Sequence, residues 1–302
     1  MRMDGFGQRI LHFAIFVPIW IFLNLAKCVP FQVRSRVGGA LVQFASVAVP
    51  GIRKRIEGNI ELVFPEMTRE EVRILRNRNT RTMGRTLTEI LFNKDQSAHH
   101  VPFHVSGEGL EAIKSADEAG QGVILVSGHF GQWDATRIFL KEQGLETGAI
   151  YRPNNNTYYE PYFVRGIEAA GKPIFPKGAD GLKGMIRHLR KGGRVAILAD
   201  QHLDEGARLP LLGRPSMTTL SPAQLAIRHK ALLIPVWSVR DDDGACMNIL
   251  LESPIPHGTP EEMMTTFNER LEVQVRAHPE QWLWAHRRWK KHGTHVYKKR
   301  SA

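Results

Sequence analysis

Apolar and polar positions alternate along the last two thirds of the chain in a way that predicts strands and helices in turn. Short apolar runs of strand length lie near residues 122–127, 148–151, 172–175, 194–199, 232–239 and 247–251. Apolar residues at helical spacing lie near residues 131–143, 158–170, 181–191, 221–229 and 260–277. Strands that alternate with helices favour an α/β fold, a mostly parallel mixed sheet covered by helices.

The first part of the chain has a different pattern. Residues 33–93 are helical and basic, and they are preceded by an uncharged apolar segment from Ile10 to Ala26. This segment is at the short end of the roughly 17–25 residues that cross a bilayer, so it either spans the membrane or lies in one leaflet. No small-residue cleavage site follows it directly, which favours a retained anchor over a removed signal peptide.

We therefore predict an N-terminal membrane-anchoring helix within residues 1–30 and a catalytic domain over residues 31–302. The domain has a helical lead-in to about residue 95 and an α/β core over about residues 100–292. Basic residues follow the anchor closely, which by the positive-inside tendency places the bulk of the protein in the cytoplasm.

The charge of the chain predicts an anionic partner. Its 302 residues contain 41 Lys and Arg against 30 Asp and Glu, a net charge of +11. Part of the excess lies after Gln281, where cations alternate with aromatic residues: Arg287, Arg288, Lys290, Lys291, Lys298, Lys299 and Arg300 with Trp282, Trp284, Trp289 and Tyr297. This composition fits a membrane interface, single-stranded nucleic acid, or a basic helix whose tryptophans are core. The apolar N-terminal segment favours the membrane over nucleic acid.

Cysteine and histidine usage argues against disulfides and metals. The two cysteines, Cys28 and Cys246, lack any CxxC spacing, and the thirteen histidines form no HExxH pattern. We therefore expect a reducing compartment, no metal site and no cofactor.

The strongest candidate for chemistry is the segment that follows the predicted strand 122–127. This segment contains His129 and, five positions later, Asp134. A histidine accepts a proton near neutral pH, and a carboxylate on its other ring nitrogen stabilises the imidazolium that results. The pair fits a general base with its partner, although a core histidine beside a helix-capping aspartate would have the same spacing. Gln132 lies between them and is a candidate substrate-binding residue.

Further polar residues follow other predicted strands, at the edge where α/β folds bind their ligands. Arg152 comes directly after strand 148–151 and suits a phosphate, carboxylate or oxyanion. Asp200 and Gln201 end strand 194–199, where Asp200 is a helix cap, a hydroxyl ligand or a second partner for His129. Arg287 lies in the basic and aromatic stretch near the end of the chain, so Arg152, Gln201 and Arg287 join Gln132 as predicted substrate-binding residues.

Taken in order, these motifs resemble the late acyltransferases of lipid A biosynthesis, the lauroyl and myristoyl transferases within the lysophospholipid acyltransferase superfamily. The resemblance covers nearly the whole chain and is carried by the apolar N-terminal segment, Arg55-x3-Asn59-Ile-Glu-Leu62-Val-Phe64-Pro65, His129-x4-Asp134, Tyr151-Arg152-Pro153, Ala199-Asp200-Gln201 and the closing segment from Pro279 to Lys290. It implies a fold like that of the glycerolipid acyltransferases, with His129 as base, Asp134 as its partner and Asp200 as a competitor for that role. The lipid A enzymes usually carry Glu where this chain has Asp134, whereas Asp is usual in glycerolipid acyltransferases.

The resemblance implies transfer of a fatty acyl chain from acyl carrier protein or acyl-CoA to a hydroxyl of a lipid acceptor, at the cytoplasmic face of a bacterial inner membrane. The acceptor is a lipid A precursor, a lysophospholipid or an amino-acid-containing lyso-lipid. Ser127 lies two residues before His129 but lacks the G-x-S-x-G context of a hydrolase nucleophile. Two other classes stay open: a membrane-bound thioester or lipid hydrolase that uses the same residues, and a noncatalytic basic protein that coats membranes or nucleic acid.

Overall fold

The computed structural model describes residues 5–98, 102–241, 246–291 and 294–295. The helices in this part of the chain are α1 (Phe6–Ala26), α2 (Phe31–Ala48), α3 (Pro50–Val63), α4 (Arg69–Leu91), α5 (Asn93–Ala98), α6 (Gly109–Glu118), α7 (Ala135–Glu142), α8 (Glu160–Ala170), α9 (Ala179–Leu189), α10 (Ser221–His229) and α11 (Pro260–Ala277). A short 3-10 helix, Pro279–Gln281, follows α11.

The strands are β1 (Phe103–Ser106), β2 (Val123–Ser127), β3 (Thr147–Tyr151), β4 (Ile174–Pro176), β5 (Arg194–Leu198), β6 (Ala207–Leu211), β7 (Arg214–Thr218), β8 (Leu232–Arg240), β9 (Met247–Leu251), β10 (Lys290–Lys291) and β11 (Thr294–His295). Seven of them form one sheet in the order β1-β9-β8-β2-β5-β3-β4. All neighbours in this sheet are parallel except β8 and β9. The predicted α/β class and mostly parallel sheet are confirmed.

The sheet is covered on both faces. All five residues of β2 are buried, as expected for a central parallel strand with helices above and below it. One side packs on α10, α11 and the helical lead-in, and the other side packs on α6 and α7. Several elements had no counterpart among the predicted ones, and the largest are strand β1, helix α6 and the β6–β7 hairpin.

Helix α1 is mostly apolar, and it also packs on the domain. With 21 residues and a mean hydropathy of 1.8, it is the one described helix long and apolar enough to cross a membrane. Phe16 lies against Tyr158 and Tyr162 beside α8, with ring centroids 6.1 and 5.5 Å away. Leu23 and Ala26 are buried in a cluster with residues of α2, α7 and β9. The helix therefore has one face on the domain and one face exposed.

The closing segment after α11 belongs to the core. Trp282, Trp284 and Trp289 are buried, and they contact one another through T-shaped ring pairs centred on Trp282. The expectation that these tryptophans meet lipid headgroups is therefore wrong: they stabilise the fold. Tyr297, Lys298, Lys299 and Arg300 lie outside the described residues.

Candidate active site

Neighbouring strands bring the two central residues of the site together. Strands β2 and β5 are adjacent and parallel, with Ser127 opposite Leu198. His129 follows the first strand and Asp200 follows the second by the same number of residues, so both lie at the carboxyl edge of the sheet. The Ala199 N–H donates to the Ser127 carbonyl at 2.8 Å and extends the pairing up to the site.

Asp200 holds His129 by its ring and by its backbone. The His129 Nδ1 lies 2.7 Å from Asp200 Oδ1, and the His129 backbone N–H donates to Oδ2 at 2.9 Å. Asp200 is almost fully buried, whereas 22% of the His129 side chain is exposed. Because the carboxylate accepts the proton of Nδ1, the neutral ring has its lone pair on Nε2. Thus the basic nitrogen is the one left on the opposite side of the ring from Asp200.

The Gln201 side chain lies next to this basic nitrogen. Its Nε2 is 3.3 Å from His129 Nε2, so the amide donates toward the lone pair. Trp133 contacts the same ring edge-on, with centroids 5.4 Å apart. Gln201 thus lies beside the candidate base, and its role in binding substrate stays a prediction.

Electrostatics keep Asp200 ionised. Burial by itself would raise the pKa of Asp200, but the charge and hydrogen bonds of His129, together with the Trp282 indole, outweigh burial and lower the pKa to about 2. His286 lies nearby, and burial lowers the pKa of its ring to about 4 against the attraction of Asp200. The His286 ring is therefore neutral at pH 7, and its Nε2 accepts the His202 backbone N–H at 3.0 Å.

Asp134 does not contact His129. Its carboxylate accepts from Arg137 Nη1 at 2.9 Å and from Asn93 Nδ2 at 2.9 Å, and all three side chains are buried. The expected pairing of Asp134 with His129 is therefore corrected, and Asp200 takes that position. The reason is local: Asp134 is the residue directly before α7, so its side chain turns toward Arg137 one helical turn later.

The other predicted substrate-binding residues are dispersed. Gln132 is fully buried, and its side-chain oxygen accepts the Asp134 backbone N–H at 3.0 Å, so it belongs to the turn beneath the site and not to an open surface. Arg152 is exposed directly after β3, the strand beside β5. Arg287 is exposed, whereas the adjacent Arg288 is buried and donates to Thr218 Oγ1 at 2.7 Å.

Asparagines from α3 and α4 hold the closing segment in place over the site. The Asn59 amide donates to the carbonyls of Trp284 and His286 at 2.7 and 2.8 Å. The Asn79 amide donates to the carbonyls of Glu280 and Trp282 at 2.9 and 2.6 Å. Asn59 was part of a recognised motif, but neither Asn79 nor the contact of Trp282 with Asp200 was expected from the sequence. A lone buried Asn in a polar helix gives no signal of its own.

The remaining chemical candidates are Ser127 as a nucleophile and a metal site. The Ser127 hydroxyl donates to the Val236 carbonyl at 2.6 Å, which places it in the sheet and not beside the base. Among the residues that the structure describes, no group of three or more His, Cys, Asp or Glu side chains could hold a metal ion. Chemically, the arrangement can accept a proton at His129 Nε2 and return it.

The fold and the site define an α/β protein with a histidine–carboxylate pair at the edge of its sheet, and comparison with known proteins names the class. A family model described as bacterial lipid A biosynthesis acyltransferase matches residues 4–291, and the chain belongs to this family. It is therefore an acyltransferase that acts on a lipid acceptor.

Individual relatives agree with this. The chain is 28% identical over 282 residues to the lipid A biosynthesis lauroyltransferase of Escherichia coli K12, covering 90% of this chain and 89% of the relative. It is 27% identical over 284 residues to the palmitoleoyltransferase of lipid A biosynthesis from the same organism, covering 90% and 88%. A phosphatidylinositol mannoside acyltransferase of Mycobacterium tuberculosis is 24% identical over 186 residues, covering 60% of this chain and 58% of the relative.

Proposed function

We propose that this protein transfers a fatty acyl chain from an acyl thioester to a hydroxyl group of a lipid A precursor, with His129 as general base and Asp200 as its partner. The observation that carries the proposal is the 2.7 Å contact of His129 Nδ1 with a buried carboxylate, which leaves Nε2 to take up a proton. Acyl carrier protein and coenzyme A are both anionic donors, and the +11 charge suits either.

The reaction follows from this geometry. The acceptor hydroxyl gives its proton to His129 Nε2 while its oxygen attacks the thioester carbonyl carbon. Asp200 stabilises the imidazolium through Nδ1, as in other histidine–aspartate pairs. The C–S bond of the tetrahedral intermediate then breaks, and the leaving thiolate takes the proton from Nε2. The histidine is neutral again, and no covalent enzyme intermediate is needed.

Arg152 and Arg287 are the proposed contacts for anionic parts of the substrates. Both are exposed, and the backbone of Arg152 lies at the same edge of the sheet as Asp200. A guanidinium binds phosphate in a bidentate manner, which suits a phosphorylated lipid or the phosphopantetheine arm of a donor. Gln201 is proposed to meet the acceptor hydroxyl, because its amide occupies the position that this hydroxyl must reach.

The exposed face of α1 is proposed to hold the protein at the cytoplasmic face of the inner membrane. Its exposed apolar residues include Ile10, Leu11, Phe13, Ile15, Trp20, Ile21 and Leu25. Helix α2 also has exposed apolar side chains at helical spacing: Val33, Val37, Leu41 and Phe44. We call the two sets together the apolar surface of α1 and α2.

The test is acyl transfer by purified protein in mixed micelles, with an acyl thioester and a lipid A precursor as substrates and mass spectrometry of the lipid as readout. We expect a product heavier by one acyl chain, and we expect His129→Ala to lower the rate by about a hundred- to ten-thousandfold. Retention of near-normal transfer by this variant would overturn the mechanism. Thioester cleavage without an acylated lipid would favour the hydrolase alternative.

A further inference from the structure

The Asp200 carboxylate accepts three hydrogen bonds, and one of them comes from a distant part of the chain. His129 supplies two, from its ring to Oδ1 and from its backbone to Oδ2. The third comes from the indole Nε1–H of Trp282, which donates to Oδ2 at 2.9 Å. Because Asp200 is buried, each donor replaces water that the carboxylate has lost. Trp282 is therefore in contact with the acid of the pair, although it does not touch the base through its side chain.

The direction of the Trp282 indole is fixed by its surroundings. The residue is 2% exposed, and its ring lies against Trp284 with centroids 4.7 Å apart at an interplanar angle of 81°. Its backbone forms a bridge with Phe130, and its carbonyl accepts from Asn79 at 2.6 Å. The Leu283 N–H donates to the His129 carbonyl at 3.1 Å. The acceptor of the indole hydrogen bond, Asp200, is thus bonded to the His129 backbone N–H, and the neighbour of the donor, Leu283, is bonded to the His129 carbonyl.

We propose that Trp282 is a positioning residue of the acyltransferase: its indole N–H holds Oδ2 of Asp200, so that Oδ1 faces His129 Nδ1. The inference rests on the proposed roles of His129 and Asp200 and adds to them a third member that does not meet substrate. A carboxylate rotates easily about its last side-chain bond, because that torsion has broad minima. With Oδ2 held by two donors from different directions, rotation of the group breaks both bonds.

The bond also affects the charge of the pair. A hydrogen bond to an ionised carboxylate spreads its negative charge and favours the ionised form. Without the indole donor, more of that charge acts on a proton taken up by the pair, so the pair as a whole holds this proton more strongly. The other ionisable groups around the pair are His286 and Arg288, which interact with it, and His202, which interacts with His286. Replacement of Trp282 by Phe leaves these three in place.

The test compares two substitutions in the same aromatic cluster. Trp282→Phe keeps an aromatic ring and removes the donor to Asp200. Trp284→Phe is the matched control, because Trp284 is equally buried and its indole N–H donates to the Pro279 carbonyl at 2.6 Å and not to the site. Both variants lose one buried indole hydrogen bond, and only one of them loses a contact with the pair.

For Trp282→Phe we expect kcat to fall by roughly ten- to hundredfold, the range for a hydrogen bond to a charged group, with little change in the KM for the acyl donor. We also expect the acidic limb of the pH–rate profile to move to higher pH. For Trp284→Phe we expect a loss in Tm equal to that of Trp282→Phe, a kcat near that of the unchanged protein and an acidic limb at the same pH as in the unchanged protein. Equal effects of the two substitutions on kcat and on the pH profile would overturn the inference.

A second measurement needs no change at Trp282. In protein with 15N-labelled tryptophan, Asp200→Asn should move the indole proton resonance of Trp282 and leave that of Trp284 in place. An unmoved Trp282 resonance would contradict the contact. These experiments distinguish failure of this inference from failure of the proposed function. If His129→Ala abolishes transfer and the two Trp variants behave alike, the role of Trp282 is wrong and the proposed function stands. If His129→Ala remains active, the proposed mechanism is wrong.

Discussion

Two buried aspartates lie near His129, and their partners give them different tasks. Asp200 is paired with His129, the proposed base, so its charge supports the proposed chemistry. Asp134 is paired with Arg137, whose Nη2 also donates to the Gly171 carbonyl at 2.6 Å, so its charge joins α7 to the turn after α8. A buried carboxylate with a permanent cation stabilises a fold and has no proton to exchange.

The first prediction follows from this difference. Asp200→Asn should lower kcat by about a hundred- to ten-thousandfold with a small change in Tm, because an amide can leave the imidazole in the wrong tautomer. Asp134→Asn should lower the free energy of unfolding by about 3–5 kcal/mol, the cost of an unpaired buried charge at Arg137, and should lower kcat less. Transfer rates and thermal unfolding of both variants check this. A deeper loss of kcat at Asp134 than at Asp200 would reverse the assignment.

A second prediction concerns the stability contributed by His286. Burial lowers the pKa of His286 to about 4 from 6.5, so on acidification the unfolded chain binds a proton before the folded protein does. The contribution of a neutral His286 is therefore complete above pH 6.5 and declines as the pH falls from 6.5 toward 4. Tm measured between pH 7.5 and pH 5 should fall less steeply for His286→Gln than for the unchanged protein. Parallel curves for the two proteins would count against a buried neutral ring.

The residues of the site were predictable from the sequence to the extent that they follow strands. His129, Asp200 and Gln201 each end an apolar run, and neighbouring parallel strands bring such ends together. Their pairing was not predictable in the same way, because spacing in sequence favoured Asp134, whereas contact depends on which strands are neighbours. The position of Trp282 depends on packing of the closing segment, and no local pattern expresses it.

At the scale of elements, the predicted and observed segments agree best where a helix or strand is long and periodic. Helices α10 and α11 begin and end at the predicted residues. Helix α7 begins at Ala135 and not at Gly131, because the φ of Gly131 is +56° and therefore not helical. The residue is glycine because a Cβ there would lie 1.8 Å from the Ser238 carbonyl oxygen. Strand β1 has only four residues, so its pairing with distant β9 is invisible in sequence. The β6–β7 hairpin turns at Leu212, an unusual residue for a φ of +53°.

The bonds between the helical lead-in and the closing segment give a third prediction. Asn79→Ala removes the side-chain donor of the Glu280 and Trp282 carbonyls, although Trp282 keeps the Trp284 backbone N–H as a donor, so we expect a loss of about 1–3 kcal/mol in unfolding free energy. Because the Trp282 backbone is then less restrained, kcat should fall as well. Asn77→Ala is the control, since Asn77 is on the same helix, accepts from Arg76 and has no hydrogen bond to the described part of the closing segment. Chemical denaturation and transfer rates would show no difference between the two variants if the closing segment were held by its tryptophans alone.

At the scale of the whole molecule, the apolar surface of α1 and α2 is exposed, and its contact with water is unfavourable. α1 also rests on the domain, and the Asn156 amide donates to the His12 carbonyl at 2.8 Å. Removal of residues 1–27 would therefore delete the proposed anchor and also uncover part of a core cluster that contains Phe31, Phe92 and Met247.

The fourth prediction is that the full-length protein resists extraction from membranes by high salt. Buried apolar area contributes roughly 25 cal/mol per Å² and does not depend on ionic strength, whereas exposed charges are screened beyond about 10 Å. Protein without residues 1–27 should bind anionic vesicles weakly, release them in salt and unfold at a lower temperature than the full-length protein. Fractionation at low and high salt, with a melting curve for each protein, makes the comparison. Full-length protein that washes off in salt would show that α1 serves the core and not the bilayer.

The late position of Trp282 in the chain has a consequence for biosynthesis. The ribosome makes α1 before His129 and Asp200, and the closing segment only after them. A nascent chain that stops between Asp200 and Trp282 has both members of the proposed proton-transfer pair and lacks the indole and backbone bonds that align them. We therefore expect prematurely terminated copies to be inert toward acyl donors, so that the cell does not lose thioesters to unfinished enzyme.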